Sequence, residues 1–148
     1  EYPSHAEELQ IRDLDHQRQK APLPPPRSVL SQDTLFALRD AAASTFLDQK
    51  LNRYIVDLVQ ASRQPGNYDA DLARWCRFGA SPRASIALAR CARARAWLDG
   101  ERFVTPQHIR QVAPEILRHR ILLSFEAEAE GVSTDDFVRR LLELVAIP

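Results

Sequence analysis

Six alanines at positions 84, 87, 89, 92, 94 and 96, enclosed between Gly79 and Gly100, constrain this chain more than any other feature. Alanine is the best helix former. Ser81 is a good N-cap, and Pro82 suits the first helical position, where its missing N–H costs nothing. The stretch that follows therefore reads as helix to about Leu98, with Gly100 as its stop. Its small side chains let a neighbouring element pack closely, with Leu88 and Trp97 as larger anchors. Cys91, in the same run, reads as a small core residue.

Arg83 is the odd member of this helix start. A cation in a first turn opposes the helix macrodipole, at roughly 0.3–1 kcal/mol when exposed. Backbone N–H groups left free at a helix start, with an arginine among them, suit an anion such as phosphate. An arginine that simply points into water satisfies the same pattern.

The remaining chain also reads as helices. Pro3 to about Lys20 is one, capped by Ser4, with Glu7 and Glu8 in its early turns and charge nearly all round. Residues 21–26, Ala-Pro-Leu-Pro-Pro-Pro, form a semi-rigid polyproline-type connector. Ser31 caps a helix to about Ala43 that sets Leu35, Leu38 and Ala42 on one face. Asp48 caps the clearest amphipathic helix, with Leu51, Tyr54, Ile55, Leu58 and Val59 at i, i+3, i+4, i+7 and i+8. Pro65-Gly66-Asn67 is a turn, and a short helical turn is expected around Leu72–Trp75. Thr105-Pro106 opens a further helix, which Pro114 is expected to interrupt. Arg120 to Phe125 reads as an extended segment with the stretch near Phe103-Val104 as its candidate partner. Ser133 and Asp136 resemble a capping box ahead of a last helix holding Phe137, Leu141, Leu142 and Val145. The expected fold is all-α: a bundle of about five to six helices, with a short strand pair admitted.

At 148 residues the chain suffices for one real core. Acidic and basic residues number 20 each, so net charge does not point to nucleic acid or membrane. The distribution is uneven. Residues 81–120 carry eight arginines against three acids, and residues 121–148 carry six acids against two arginines. Adjacent patches of opposite sign suit subunit contacts or pairing within the fold. Cys76 and Cys91 offer neither a disulfide framework nor metal spacing, which makes a reducing compartment the default. The four histidines are scattered, and no metal site is expected. No apolar run reaches the 18 or so residues of a membrane span. A chain without methionine that starts at Glu1 is expected to be part of something longer. It contains no GxxxxGK[ST] loop, no HExxH and no GxSxG, so it should not turn over ATP alone.

Gly79-Ala80-Ser81-Pro82-Arg83-Ala84 resembles the sensor 2 motif of the MoxR family of AAA+ ATPases. So do the run from Asp99 to Ile109 and the run from Ala113 to Arg120 in order and spacing, while Glu1-Tyr2-Pro3-Ser4 resembles the way that family's ATPase core closes. The resemblance implies that residues 1–27 are the tail of an AAA+ core, its last helix and a linker, and residues 28–148 a helical lid. It implies that Arg83 reaches the γ-phosphate of bound ATP, with Ser81 and Pro82 positioning the turn. An apolar part of the lid packs on adenine in related ATPases, and Tyr54 and Ile55 are the candidates here, two positions that core packing explains equally well. ATP and Mg2+ would be bound by the full-length protein only. The implied partners are the chain's own core, neighbouring subunits of a ring, typically a hexamer, and proteins with von Willebrand factor A domains. The implied activity is chaperone-like remodelling or maturation of other proteins, in a bacterial cytoplasm. Two alternatives stay open: a passive helical adaptor, and a nucleic-acid-binding module using the arginines at 83, 90, 93, 95, 102, 110, 118 and 120. Those arginines do not share one face.

Overall fold

The structure is a computed structural model and describes residues 2–21 and 28–148. Two compact units are present, one ending at Thr34 and the other spanning residues 35–148. The polyproline-type connector, apart from Ala21, lies outside the described residues.

In the first unit, α1 (His5–Lys20) starts where expected because Ser4 and Glu7 form a reciprocal capping box. The Glu7 carboxylate accepts from the Ser4 backbone N–H at 2.7 Å, and the Ser4 hydroxyl accepts from the Glu7 N–H. None of its residues is buried within this unit. Leu9, Ile11 and Leu14 are about half exposed, as the nearly all-round charge implies.

The chain then forms α2 (Gln32–Ala43), started by Ser31, whose hydroxyl accepts the Thr34 N–H at 3.1 Å. The core of the second unit begins with α3 (Gln49–Arg63). The Asp48 carboxylate accepts the Lys50 N–H at 2.7 Å, and the predicted stripe, from Leu51 through Tyr54, Ile55, Leu58 and Val59, is buried throughout. A 3₁₀ turn at Pro65–Asn67 leads to α4 (Ala70–Trp75), capped by Asp69. Next come strand β1 (Cys76–Phe78) and α5 (Pro82–Leu98), the alanine-rich helix. It is followed by α6 (Pro106–Leu117), strand β2 (Leu122–Leu123), α7 (Phe125–Ala129) and α8 (Thr134–Leu144).

Helix α5 is the centre of the packing, and its broadest partner is α6. Ala84, Leu88, Ala92 and Ala96 recur every fourth residue and are fully buried, so three of the four contacts bring backbones close instead of filling space. Ile109, Ala113 and Leu117 of α6 and Phe137, Val138 and Leu141 of α8 complete the core with the α3 stripe. Each large aliphatic or aromatic side chain so buried contributes about 1.5–3 kcal/mol.

The all-α architecture is as expected, with four departures. Eight α-helices are described instead of five or six, because the short α4 and α7 each form on a single capped turn. The strand pair exists, but β2 pairs antiparallel with β1, Phe78 opposite Leu122 and Cys76 opposite Leu123. Phe103 instead makes an isolated parallel bridge to Phe46, and the Val104 N–H donates to the Phe46 carbonyl at 2.8 Å. Pro114 does not interrupt α6, which runs unbroken through it. A proline inside a helix costs about 3 kcal/mol. The burial of Ile109, Ala113, Ile116 and Leu117 on both sides of it offsets that cost. Cys91 is exposed rather than core, because it lies off the buried 84–88–92–96 stripe.

Candidate functional site

The turn from β1 into α5 is held against the C-terminal end of α3. The Ser62 hydroxyl, on a fully buried residue, accepts the Ala80 backbone N–H at 3.0 Å and donates to the Val59 carbonyl at 2.7 Å. The Arg63 Nε–H donates to the Ala80 carbonyl at 2.6 Å. Both backbone groups of Ala80 are thus taken by consecutive residues of α3. The Cys76 thiol donates to the Ser62 carbonyl at 3.3 Å, and burial pushes that thiol above its ordinary range. Gly79 permits this approach. A Cβ there would stand 2.2 Å from the Ser62 carbonyl oxygen and 2.7 Å from the Arg63 Cα.

Beyond this anchored turn the chain becomes free. Ser81, Pro82 and Arg83 are all exposed. Ser81 occupies the N-cap with extended dihedrals, φ −73° and ψ 167°, yet its hydroxyl caps no N–H of the helix. The Ala84 N–H turns back to the Ser81 carbonyl at 2.9 Å, and Pro82 has no N–H to offer. Among the described residues, the Arg83 guanidinium has no hydrogen bond or ion pair and its backbone N–H has no partner. The cation and the donor end of the helix therefore face outward together.

Tyr54 and Ile55 lie elsewhere. They are 1% and 2% exposed, within the hydrophobic core. Eight residues of α3 separate Tyr54 from Ser62, about 12 Å along the helix axis. The tyrosine helps to line a surface cleft together with Lys50, Arg53, Asp57, Ala146 and Pro148. Its hydroxyl is buried without a partner among the described residues. The structure thus brings Ser81, Pro82 and Arg83 together and does not bring Tyr54 or Ile55 to them.

Of the seven other arginines named with Arg83, four (Arg95, Arg110, Arg118 and Arg120) are engaged within the fold, while Arg90, Arg93 and Arg102 have no side-chain hydrogen bond or ion pair among the described residues. Arg95 pairs with Asp99 at 2.8 Å, and Arg118 pairs with Glu115 and Asp135 at 3.0 and 2.9 Å. Arg110 donates to the Leu142 carbonyl at 2.5 Å. The Arg118–Asp135 pair links the basic and acidic halves of the sequence internally. Among the described residues no group of three or more His, Cys, Asp or Glu side chains could hold a metal. No helix of the described residues is long and apolar enough to cross a membrane.

Ser62 and Arg63 were not singled out as site residues in the sequence. Ser62 did carry a signal: it extends the 51–54–55–58–59 stripe by one turn, a polar residue at a core position.

Residues 73–141 match the family model described as the AAA lid domain. The chain carries an AAA lid domain. Its relatives extend the likeness beyond the matched segment. Over 148 residues, 99% of the chain, it is 36% identical to the chaperone MoxR1 of Mycobacterium tuberculosis, of which it covers 38%. It is 42% identical over 87 residues to protein MoxR of Paracoccus denitrificans, covering 55% of this chain and 26% of that protein. Among solved structures, a candidate ATPase from Cytophaga hutchinsonii superposes on the whole lid-bearing chain with a TM-score of 0.79 and 32% identity, over 44% of its own length. The MoxR resemblance of the Gly79–Arg120 block therefore holds along essentially the whole chain. The matches cover between about a quarter and two fifths of the length of these relatives.

Proposed function

We propose that this chain is the lid-bearing part of a MoxR-type AAA+ ATPase and that Arg83 is its sensor 2 arginine. In this reading the longer protein binds ATP and Mg2+ on a core built outside the chain, and the lid brings one positive charge to the γ-phosphate. The observation that carries the reading is the state of Arg83: exposed, unpaired among the described residues, and mounted on a helix start whose turn is anchored at Ala80. A charge-assisted hydrogen bond to a phosphate oxygen is worth roughly 1.5–3 kcal/mol. The contact disappears when the γ-phosphate leaves, so it biases the lid between two positions through the hydrolysis cycle. Ser81 and Pro82 position the turn. Tyr54 and Ile55 stay in this reading as candidates for the apolar contact with adenine, Tyr54 through the cleft it helps to line.

The same reading makes the longer protein a ring, typically a hexamer, acting in a bacterial cytoplasm. There ATP hydrolysis drives chaperone-like remodelling of partner proteins, those with von Willebrand factor A domains included. The name of the mycobacterial relative, a chaperone, supports that direction.

The test is steady-state ATP hydrolysis by the full-length protein, wild type against Arg83→Ala. Turnover is expected to fall by about 10- to 100-fold, with nucleotide affinity weakened much less, because the charge matters most as the phosphoryl group transfers. Unchanged turnover would leave the motif a plain helix start and favour an adaptor role.

A further inference from the structure

The clamp on Ala80 has a geometry that packing alone does not require. Arg63 is an exposed residue whose long side chain could be solvated, yet its Nε–H is committed to one backbone carbonyl 17 residues away. Ser62, next to it, takes the N–H of the same residue from the buried side. Contacts on the two peptide groups that flank the Ala80 Cα, made by two consecutive helical residues, fix both the position and the orientation of that residue. Gly79 closes the third side, since its missing Cβ lets the turn rest on the Ser62 and Arg63 backbone. Ala80 itself is fully buried. Three residues later the chain presents Arg83, with nothing among the described residues to hold the guanidinium.

We infer that Arg63, with Ser62, is a positioning residue for Arg83: it sets where α5 begins relative to α3, and so where the arginine stands when it meets phosphate. This rests on the sensor 2 reading proposed above. The reasoning is geometric. A side chain with four rotatable bonds can find an anion only if its root is fixed, and here the root is held by hydrogen bonds three residues upstream. A displacement near 1 Å at a catalytic contact can cost about 100-fold in rate. The clamp is therefore expected to act on turnover through Arg83 and to contribute little to binding of the nucleotide as a whole. Arg63 touches neither nucleotide nor reacting atoms in this scheme.

Steady-state kinetics of the full-length ATPase with four variants separates the possibilities: Arg63→Ala, Arg63→Lys, Arg83→Ala and the Arg63→Ala/Arg83→Ala double variant. Amide hydrogen exchange of the 79–85 segment is measured alongside. Arg63 is exposed, so its removal should leave the fold intact, and unchanged exchange in α8 would report that. The expected result is a fall in kcat of about 5- to 20-fold for Arg63→Ala with KM within about 2-fold, partial recovery in Arg63→Lys, and faster exchange at 79–85. In the Arg83→Ala background the Arg63 substitution should have no additional effect on kcat. Additive losses in the double variant, or normal kcat with faster exchange, would overturn the inference and leave the clamp structural while Arg83 keeps its role. Normal kcat in Arg83→Ala would overturn the sensor 2 reading itself, and the positioning role with it.

Discussion

A Cβ on Gly79 would stand 2.2 Å from the carbonyl oxygen of Ser62, closer than any real contact allows, so glycine is required where β1 leaves for α5. The requirement is one of space, since among the described residues only Gly100 and Gly131 have positive φ. The atoms in the way are backbone, which cannot rotate aside. Gly79→Ala is therefore expected to lower stability by about 2–3 kcal/mol, in the range of overpacked cores. Gly66→Ala, whose nearest neighbour would be the Ala73 Cβ at an ordinary 3.5 Å, should stay within about 0.5 kcal/mol of wild type. Thermal unfolding of the two variants reads the difference directly.

Cys91 should react with a thiol reagent much faster than Cys76. Cys91 is exposed, whereas Cys76 is half-buried, donates to the Ser62 carbonyl and has its thiol pushed up by burial, which depletes the thiolate. At pH 8 the native protein should show one fast and one slow thiol, about 10-fold or more apart in rate, with the fast label mapping to Cys91 by peptide mass. Equal rates would contradict the placement of the two residues.

Asp69 caps α4 and is joined to Arg140 of α8 at 2.8 Å. The Arg140 guanidinium, and after it the Leu72 N–H, hold the Asp69 carboxyl below the usual carboxylate range. A depressed folded-state pKa stabilises the fold above the unfolded pKa, and that contribution is lost as pH falls through the folded pKa. The Arg140→Ala variant should accordingly be less stable than wild type at pH 7. The gap should narrow as pH drops below about 4 and the carboxylates protonate. Denaturant titrations at pH 7, 5 and 3 follow the gap, and a gap that widened toward acid would contradict the pairing.

Phe137 is fully buried at the meeting of α8 with the core, and Leu98 is 73% exposed at the end of α5. Phe137→Ala should cost about 3–5 kcal/mol, and Leu98→Ala should be nearly neutral. Denaturant midpoints at an unchanged slope would register both.

The contrast between these positions shows what could be read from the sequence. The α3 stripe was legible because Leu51, Tyr54, Ile55, Leu58 and Val59 differ sharply in polarity from their neighbours, so period and burial coincide. Helix α5 was legible as a helix but not as a face. Alanine occupies several sides of it, and only packing against α6 distinguishes the buried Ala92 from the exposed Cys91 beside it. Strand pairing failed for a different reason. Leu122–Leu123 and Cys76–Phe78 are some 45 residues apart, and local propensity for extended structure carries no address for a partner. Pro114 read as a helix break because propensity weighs one residue, whereas the structure weighs the buried residues on either side of it.

The candidate site divides in the same way. Ser81-Pro82-Arg83 was visible as a capped helix start with a misplaced cation, a local pattern. The anchoring of Ala80 by Ser62 and Arg63 was not, because it joins residues 17 and 18 positions apart through backbone atoms that leave no mark in composition. Tyr54 and Ile55 carried two readings, core packing and adenine contact, because an apolar stripe serves either, and the structure buries both in the core.

The central claim is that Arg83 senses the γ-phosphate, and the most direct measurement is the preference of the full-length protein for a non-hydrolysable ATP analogue over ADP, wild type against Arg83→Ala. A charge-assisted bond that exists only with the triphosphate predicts that the substitution reduces the ratio of the two affinities by about 3- to 5-fold, less than the loss in turnover and nearly all of it from weaker analogue binding. An unchanged ratio, or equal weakening of both nucleotides, would contradict the account.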